Sequence, residues 1–395
     1  MSPQSSPTDA TIIGGGAIGL AVGWCTLKRG LSVTLLERGG VGEQTSRVAA
    51  GMIAPIAEAT PSEPALLELA RESARLYPEF VSALIQDSGH DPLYRGCGTL
   101  LVARDHDEAE ALEREFAFRR SLGLPVTRLR ASEARAIEPA LAPTLRLGLE
   151  IPDDHAIDPR ALTTALRLAF ERAGGVLLTD TEAVGVLVDR VGGRKGDGGQ
   201  GTVTGVRLAG GEVLATQRLV VAAGPWSGRL PGLPEGTSVP IRPVKGQILC
   251  LRDPSGPGLL ERVLRMQPGY VVPRGDGRYV LGATIEERGF DTTVTVQGVF
   301  ELLRDAVELV PGVGELVIDE LVAGIRPGTP DNAPIIGVGA LAGLFWATGH
   351  YRHGILLAPI TAQLVAAALA DEELPELAAP FDPRRFADSA HPARL

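Results

Sequence analysis

The chain is expected to be an α/β protein in two parts: a Rossmann-type nucleotide-binding domain on a mostly parallel sheet, and a second α+β domain on a mostly antiparallel sheet. Three observations predict this. Residues 11–37, TIIGGGAIGLAVGWCTLKRGLSVTLLE, read as strand, glycine turn, helix, strand and acid. The stretches RPVKGQILCLRD and RVLRMQPGYVVPRGDGRYVLGATIEE alternate apolar and polar residues around a Gly275-Asp276-Gly277 hairpin signal. Near the other end, LFWATGHYRHGILLAPITAQLVAAAL repeats the strand-turn-helix pattern.

The first stretch has the spacing of a dinucleotide fingerprint. Gly14 makes the tight turn, Gly16 lets backbone approach a pyrophosphate at the helix N-terminus, and Gly19 allows close helix–strand packing. Glu37, 18 residues after Gly19, can accept hydrogen bonds from both hydroxyls of an adenosine ribose. It would repel a 2′-phosphate, which excludes NADP and leaves NAD and FAD open.

With 395 residues, 44% of them hydrophobic, the chain can bury a large core divided among two or three units. A net charge of -10 provides no global field for nucleic acid or anionic lipid. The apolar run over residues 354–370 is interrupted by Pro359, Thr361 and Gln363, so no membrane span is expected. MSPQSSPTD lacks the basic and apolar regions of a secretory signal, which points to a cytoplasmic protein with extensions at 1–8 and 373–395. Cys25, Cys97 and Cys250 are widely spaced and outside any CxxC pattern, and the six histidines show no metal-binding spacing. Neither a disulfide framework nor a metal site is predicted.

In chain order, RGGVGEQTSRVAAGMIAP combines small residues with the hydroxyls of Thr45 and Ser46 and a following helix start. That suits a second phosphate contact, and equally a Gly-rich surface loop. A helical period runs from Pro64 to about Ser88, then DPLYRGCGTLLVARD suggests a turn and a strand, and residues 107–122 a charged helix. This region reads as an insertion outside the nucleotide core, with Tyr94 and Arg95 in a solvated loop. Asp158 caps a further helix, Pro159 suits its first position, and Gly174 with Gly175 closes it; His155, just before the cap, is read as structural. LLTDTEAVGVLVD reads as a strand and VGGRKGDGGQGT as a mobile hairpin tip. RLVVAAGPWSG delivers Gly224 to a turn, and Val296–Leu309 is an amphipathic helix that packs on the antiparallel sheet.

Two C-terminal stretches could carry chemistry. Arg326 precedes Pro327 at the end of an apolar strand, where its guanidinium can clamp a carboxylate or close a salt bridge. Gly349 and Gly354 bracket His350 to His353, and the helix expected from about Ile355 offers an N-terminus that favours negative charge. His350 and His353 are read as packing residues, and Arg352 as a site residue or a surface cation.

The fingerprint with SRVAAGMIAP, GIRPGTPDNAPIIG and ATGHYRHGILLAP resembles the D-amino-acid oxidase superfamily of FAD-dependent amine oxidoreductases, and within it the glycine oxidases of the thiamine pathway. The likeness runs from about residue 10 to 372. It implies non-covalent FAD in a discontinuous domain of residues 9–90, 151–235 and 322–372, with a substrate domain of 91–150 and 236–321. Cofactor contacts carried over are Gly14, Gly16, Ala17, Ile18, Gly19, Glu37 and Arg38 at the fingerprint; Thr45, Ser46, Ala50, Gly51 and Met52 along the pyrophosphate and ring; Val184 at the adenine; Gly224 and Trp226; and Arg326, His350, Arg352, Gly354, Ile355 and Leu356 near the flavin. Arg326 and Tyr270 would bind the substrate carboxylate, with Arg352 assisting. The implied reaction is oxidative deamination of glycine, sarcosine or a small D-amino acid by hydride transfer to flavin N5, with O2 reduced to H2O2, serving the thiazole branch of thiamine synthesis. The alternative is a D-amino-acid or amine dehydrogenase with another electron acceptor. The resemblance also implies a homo-oligomer. Gln267, Pro268, Gly269 and Ile285 depart from the usual glycine-oxidase pattern and would reshape the side-chain pocket.

Overall fold

The computed structural model describes residues 8–190 and 201–386. Its first sheet has six strands in the order Ile335–Val338, Leu344–Thr348, Leu219–Val221, Ala10–Ile13, Val33–Leu36 and Val176–Leu178. All neighbouring pairs are parallel except the edge strand Ile335–Val338, which runs antiparallel to Leu344–Thr348. These strands are short apolar runs because both faces are covered. On one face, helices Ala17–Lys28, Pro159–Arg172 and Ala358–Leu369 bury Leu20, Leu166 and Val365 with Ile12 and Leu35. The other face packs Ile13, Leu36 and Val221 on Val186, Val203 and Val206 of a three-stranded antiparallel sheet. Helix Pro64–Ser88 joins the first core and stops at Gly89, whose φ of 66° is left-handed.

The second large sheet has eight strands: Val317–Gly328, Arg242–Arg252, Arg278–Gly282, Tyr270–Pro273, Val263–Arg265, Thr99–Ala103, Leu147–Ile151 and Thr127–Arg130. It is antiparallel except where Val263–Arg265 meets Thr99–Ala103. The Gly275–Gly277 turn joins two of its antiparallel neighbours as expected. Val296–Leu309 forms the predicted helix and buries Leu302, Ala306 and Leu309 against Leu249 and Leu281.

Several local expectations are corrected. The stretch read as one strand, LLTDTEAVGVLVD, is two: Val176–Leu178 ends the parallel sheet, and Ala183–Arg190 belongs to the three-stranded one. Asp180, at a φ of 50°, turns the chain between them. Most of VGGRKGDGGQGT lies outside the described residues, although its flanks pair antiparallel at Gly201 and Arg190. The lead-in at residues 1–7 is likewise outside them. No helix follows Thr45 and Ser46; turns lead instead to Met52–Ile53, paired with His155–Ala156. The last apolar helix begins at Ala358 rather than near Ile355, with Pro359 in its first turn.

Candidate active site

At the C-terminal ends of the parallel strands the backbone folds into a cradle that tolerates no side chain. Gly14 has a φ of 114°, and a Cβ there would lie 2.4 Å from the Ala222 carbonyl oxygen. A Cβ on Gly19 would stand 1.9 Å from the carbonyl oxygen of Gly14, so helix and turn meet only because both residues are glycine. The Glu37 carboxylate accepts from the Gly15 N–H at 2.7 Å and the Gly39 N–H at 3.1 Å. Ser46 Oγ accepts from the Ala17 N–H at 2.9 Å, which fixes the following loop against the helix N-terminus. Thr45 instead donates to the Ile325 carbonyl at 2.7 Å, tying that loop to the strand carrying Arg326.

Every residue nominated from the sequence, Gly19 excepted, lines one cavity of about 520 Å³. Gly19 is absent from the wall and packs instead against the Gly14 carbonyl. The cavity runs from Glu37 and Val184 to Tyr270 and Arg326, joining a nucleotide cradle to a cationic chamber. Beside the nucleotide end, the Arg38 guanidinium lies 3.9 Å from the Trp226 ring centroid, and Trp226 packs on Phe290 at 5.6 Å. Pro268, Gly269 and Ile285 line the cavity, whereas Gln267 does not. Tyr94 stacks on Tyr77 and His155 packs edge-on to Tyr94, both away from this wall.

At the chamber, Arg326 stands opposite Val244 in the sheet, and its guanidinium fills the space left by Gly246, where a Cβ would lie 2.4 Å from it. Its Nη1 donates to the carbonyls of Lys245 (3.3 Å) and Thr284 (3.1 Å), and no carboxylate pairs with it among the described residues. The guanidinium is thus braced on one edge and available on the other. Tyr270 packs over Gly282; burial pushes its phenol up, against the opposing influence of Arg326, so it is a neutral donor near neutral pH.

Arg352 also faces the chamber, but its Nε is paired with Glu58 Oε2 at 3.2 Å. Arg265 Nη1 holds the other Glu58 oxygen at 3.0 Å. Burial alone would raise the Glu58 pKa; Arg265, His353, Arg352 and Arg119 outweigh it and hold the carboxyl below its ordinary value. Sequence reasoning missed Glu58 and Arg265. Period-two alternation places Arg265 on the face of Val263, but only strand pairing reveals Tyr270 as its cross-strand partner.

The model of the family described as FAD dependent oxidoreductase (DAO) matches residues 9–368. The chain belongs to this family. Glycine oxidase of Geobacillus kaustophilus is 36% identical over 375 residues, covering 94% of this chain and 96% of that protein. The crystal structure of glycine oxidase from Geobacillus kaustophilus superposes with a TM-score of 0.87 at 34% identity, covering 96% and 99% of the two chains. The bifunctional protein ThiO/ThiG of Synechocystis is 37% identical over 99% of this chain, which spans 56% of that relative's length. The chain is accordingly an FAD-dependent amine oxidoreductase, and the glycine cradle, Glu37 and the long cavity they share fit the cofactor.

The flavoprotein's wall is completed by Gly354, Ile355 and Leu356, and the carbonyls of the last two are pinned from behind. Tyr77 donates to the Ile355 carbonyl, and Ser73 donates to that of Leu356 at 2.6 Å; both side chains are buried. Tyr77→Phe removes this bond and leaves the Ile355 carbonyl with the Ala358 N–H at 3.2 Å as its donor, so it is expected to cost about 0.5–1.5 kcal/mol, read as a lower denaturant midpoint.

His350 and His353 are both buried and both line the cavity. His350 Nε2 meets Thr361 Oγ1 at 3.0 Å; burial pushes the two imidazoles from 6.5 down to about 3 and about 4. Asp154, which accepts from the N–H groups of Ile56 and Ala57, is pushed by burial from 3.8 up to about 7. Between pH 6.5 and 4.5, unfolding therefore takes up protons on both histidines and releases one from Asp154. Stability is expected to fall by about 1.4 kcal/mol per pH unit as pH decreases through this window. Asp154→Asn removes the opposing release, so urea midpoints measured across the window should fall about twice as steeply with decreasing pH.

Proposed function

We propose that this flavoprotein oxidises glycine, and also sarcosine or small D-amino acids, to the imino acid, which hydrolyses to a 2-oxo acid and ammonia or the corresponding amine. The observation that carries this reading is the braced guanidinium of Arg326 with its open edge beside Tyr270, in the chamber continuous with the nucleotide cradle. FAD, when bound, supplies the hydride acceptor at N5 and returns the two electrons to O2 as H2O2. Arg326 takes the substrate carboxylate through charge-assisted hydrogen bonds and Tyr270 donates a further one. Fixing the carboxylate orients the Cα–H; good alignment is worth on the order of 7–11 kcal/mol. Tyr270 is held protonated, His350 is bonded to Thr361 and His353 is buried beside Glu58, so the nominated side chains orient the substrate and the amine loses its proton to water before hydride leaves. The glycine oxidase and ThiO/ThiG relatives support glycine as the substrate and the thiazole branch of thiamine synthesis as its destination.

FAD is proposed to be non-covalent, since Cys25, Cys97 and Cys250 are absent from the cavity wall. The test is an oxygen electrode with glycine, sarcosine and both alanine enantiomers. Glycine is expected to consume O2 and release an equal amount of H2O2. Flavin bleaching by glycine without oxygen uptake would move the assignment to a dehydrogenase, and absence of bleaching by all four would overturn it.

A further inference from the structure

The two carbonyls that brace Arg326 belong to segments joined by a buried cation. Lys245 is 1% exposed, and its Nζ is shared between Asp291 Oδ2 at 2.9 Å and Glu286 Oε2 at 3.5 Å. It is absent from the cavity wall, so it is out of reach of anything bound there. Burying an ammonium is costly, and an apolar side chain of similar length would serve packing as well.

Strand register shows what this cation holds. Side chains along Arg242–Arg252 alternate between faces. Gly246 and Ile248 line the cavity, with the Arg326 guanidinium in the space beside Gly246, and Lys245 and Gln247 leave the opposite face. Gly282 pairs with Ile248 and Glu286 with Lys245, so residues 283–285 stand across from 246 and 247 alone. This is a β-bulge, and its extra residue aims the Thr284 carbonyl at Arg326 Nη1. Because a bulge interrupts the ladder, the position of that carbonyl depends on side chains. Thr284 Oγ1 accepts from the Gln247 backbone N–H at 2.9 Å and donates to Glu286 Oε1 at 2.6 Å, where Gln247 Nε2 also donates at 2.7 Å. The other Glu286 oxygen faces Lys245. Ala283 and Ile285, between these anchors, line the cavity.

We propose that Lys245 is a positioning residue for the substrate carboxylate: through Glu286 and the Thr284 bulge it fixes the guanidinium of Arg326. This rests on Arg326 as the carboxylate clamp and adds the residue that sets its orientation. A guanidinium with a loose brace must be ordered at each binding event, which weakens its hold on a carboxylate without abolishing it.

The test titrates the FAD-loaded protein with acetate, read by flavin absorbance, in the wild type, Lys245→Met, Arg326→Ala and the double variant. Met keeps an unbranched apolar stem, and the Glu286 and Asp291 side chains, 22% and 39% exposed, can turn to water. Lys245→Met is expected to weaken acetate about tenfold and to raise the KM for glycine by a similar factor, with kcat at saturation changing less. On the Arg326→Ala background the same substitution should change neither, because the brace then holds nothing. An equal loss on both backgrounds is the signature of a structural role and overturns the proposal, as does unchanged acetate affinity in Lys245→Met. Glu286→Gln, which keeps the shape of its side chain, is taken through the same cycle and is expected to weaken acetate about threefold or more. It decides the question where Lys245→Met does not fold. Acetate binding without oxidation of glycine defeats the amine-oxidase reading, while the cycle still decides the role of Lys245. Absence of acetate binding in the wild type overturns both.

Discussion

Arg326→Ala is expected to raise the KM for glycine about 100-fold while the purified protein stays yellow. The guanidinium is the cation braced against two carbonyls beside Tyr270, and removing it leaves the desolvated substrate carboxylate without its cation, with the Tyr270 hydroxyl as its remaining donor. Truncating one partner of a buried charged pair costs about 2–5 kcal/mol, and about 3 kcal/mol corresponds to a factor of about 100. FAD is retained because the glycine cradle and Glu37 lie at the opposite end of the cavity. Arg326→Lys should recover little, since an ammonium cannot reproduce a planar two-point clamp. Steady-state kinetics by peroxide formation, with flavin absorbance to count loaded enzyme, provide the measurement. An unchanged KM would remove Arg326 from substrate binding.

Gly14→Ala is expected to abolish stable cofactor binding. The new methyl would meet the Ala222 carbonyl oxygen at 2.4 Å, on a backbone whose φ of 114° disfavours any L side chain. Overpacking of this kind costs about 1–3 kcal/mol, and the left-handed backbone adds about 1–2 kcal/mol. The first strand and the Ala222 turn would have to separate where the pyrophosphate is proposed to sit. The variant should purify colourless with a lower thermal midpoint, read by flavin absorbance and a melting curve. A yellow protein with wild-type stability would show that the cradle is not under this constraint.

The nucleotide half was legible because its determinants are local: a strand, a glycine turn, a helix and an acid fall within 27 residues. The antiparallel sheet was legible from alternation and from the Gly275–Gly277 turn. Its full membership was not, because strands Thr99–Ala103, Thr127–Arg130 and Leu147–Ile151 join it across more than a hundred residues of chain. The region from Pro64 to residue 122 read as an insertion outside the nucleotide core for that reason, although its first helix, Pro64–Ser88, packs into that core. Asp180 hid the break in LLTDTEAVGVLVD because aspartate at a left-handed turn leaves no glycine to mark it. In the chamber, Arg326 and Tyr270 came from a resembled motif, whereas Glu58 and Arg265 belong to no motif. Their significance is a pairing between a loop and a strand 207 residues later.

The strand order carries a consequence for biosynthesis. The first strand of the chain lies beside Leu219–Val221, which in turn lies beside Leu344–Thr348, and the wall of the cavity closes only with Gly354, Ile355 and Leu356. A ribosome delivers those residues long after the fingerprint has emerged. The nascent fingerprint can hold little more than the ADP portion of FAD. Secure capture of the whole cofactor then waits for that distant segment, and the bound molecule would tie it to the fingerprint.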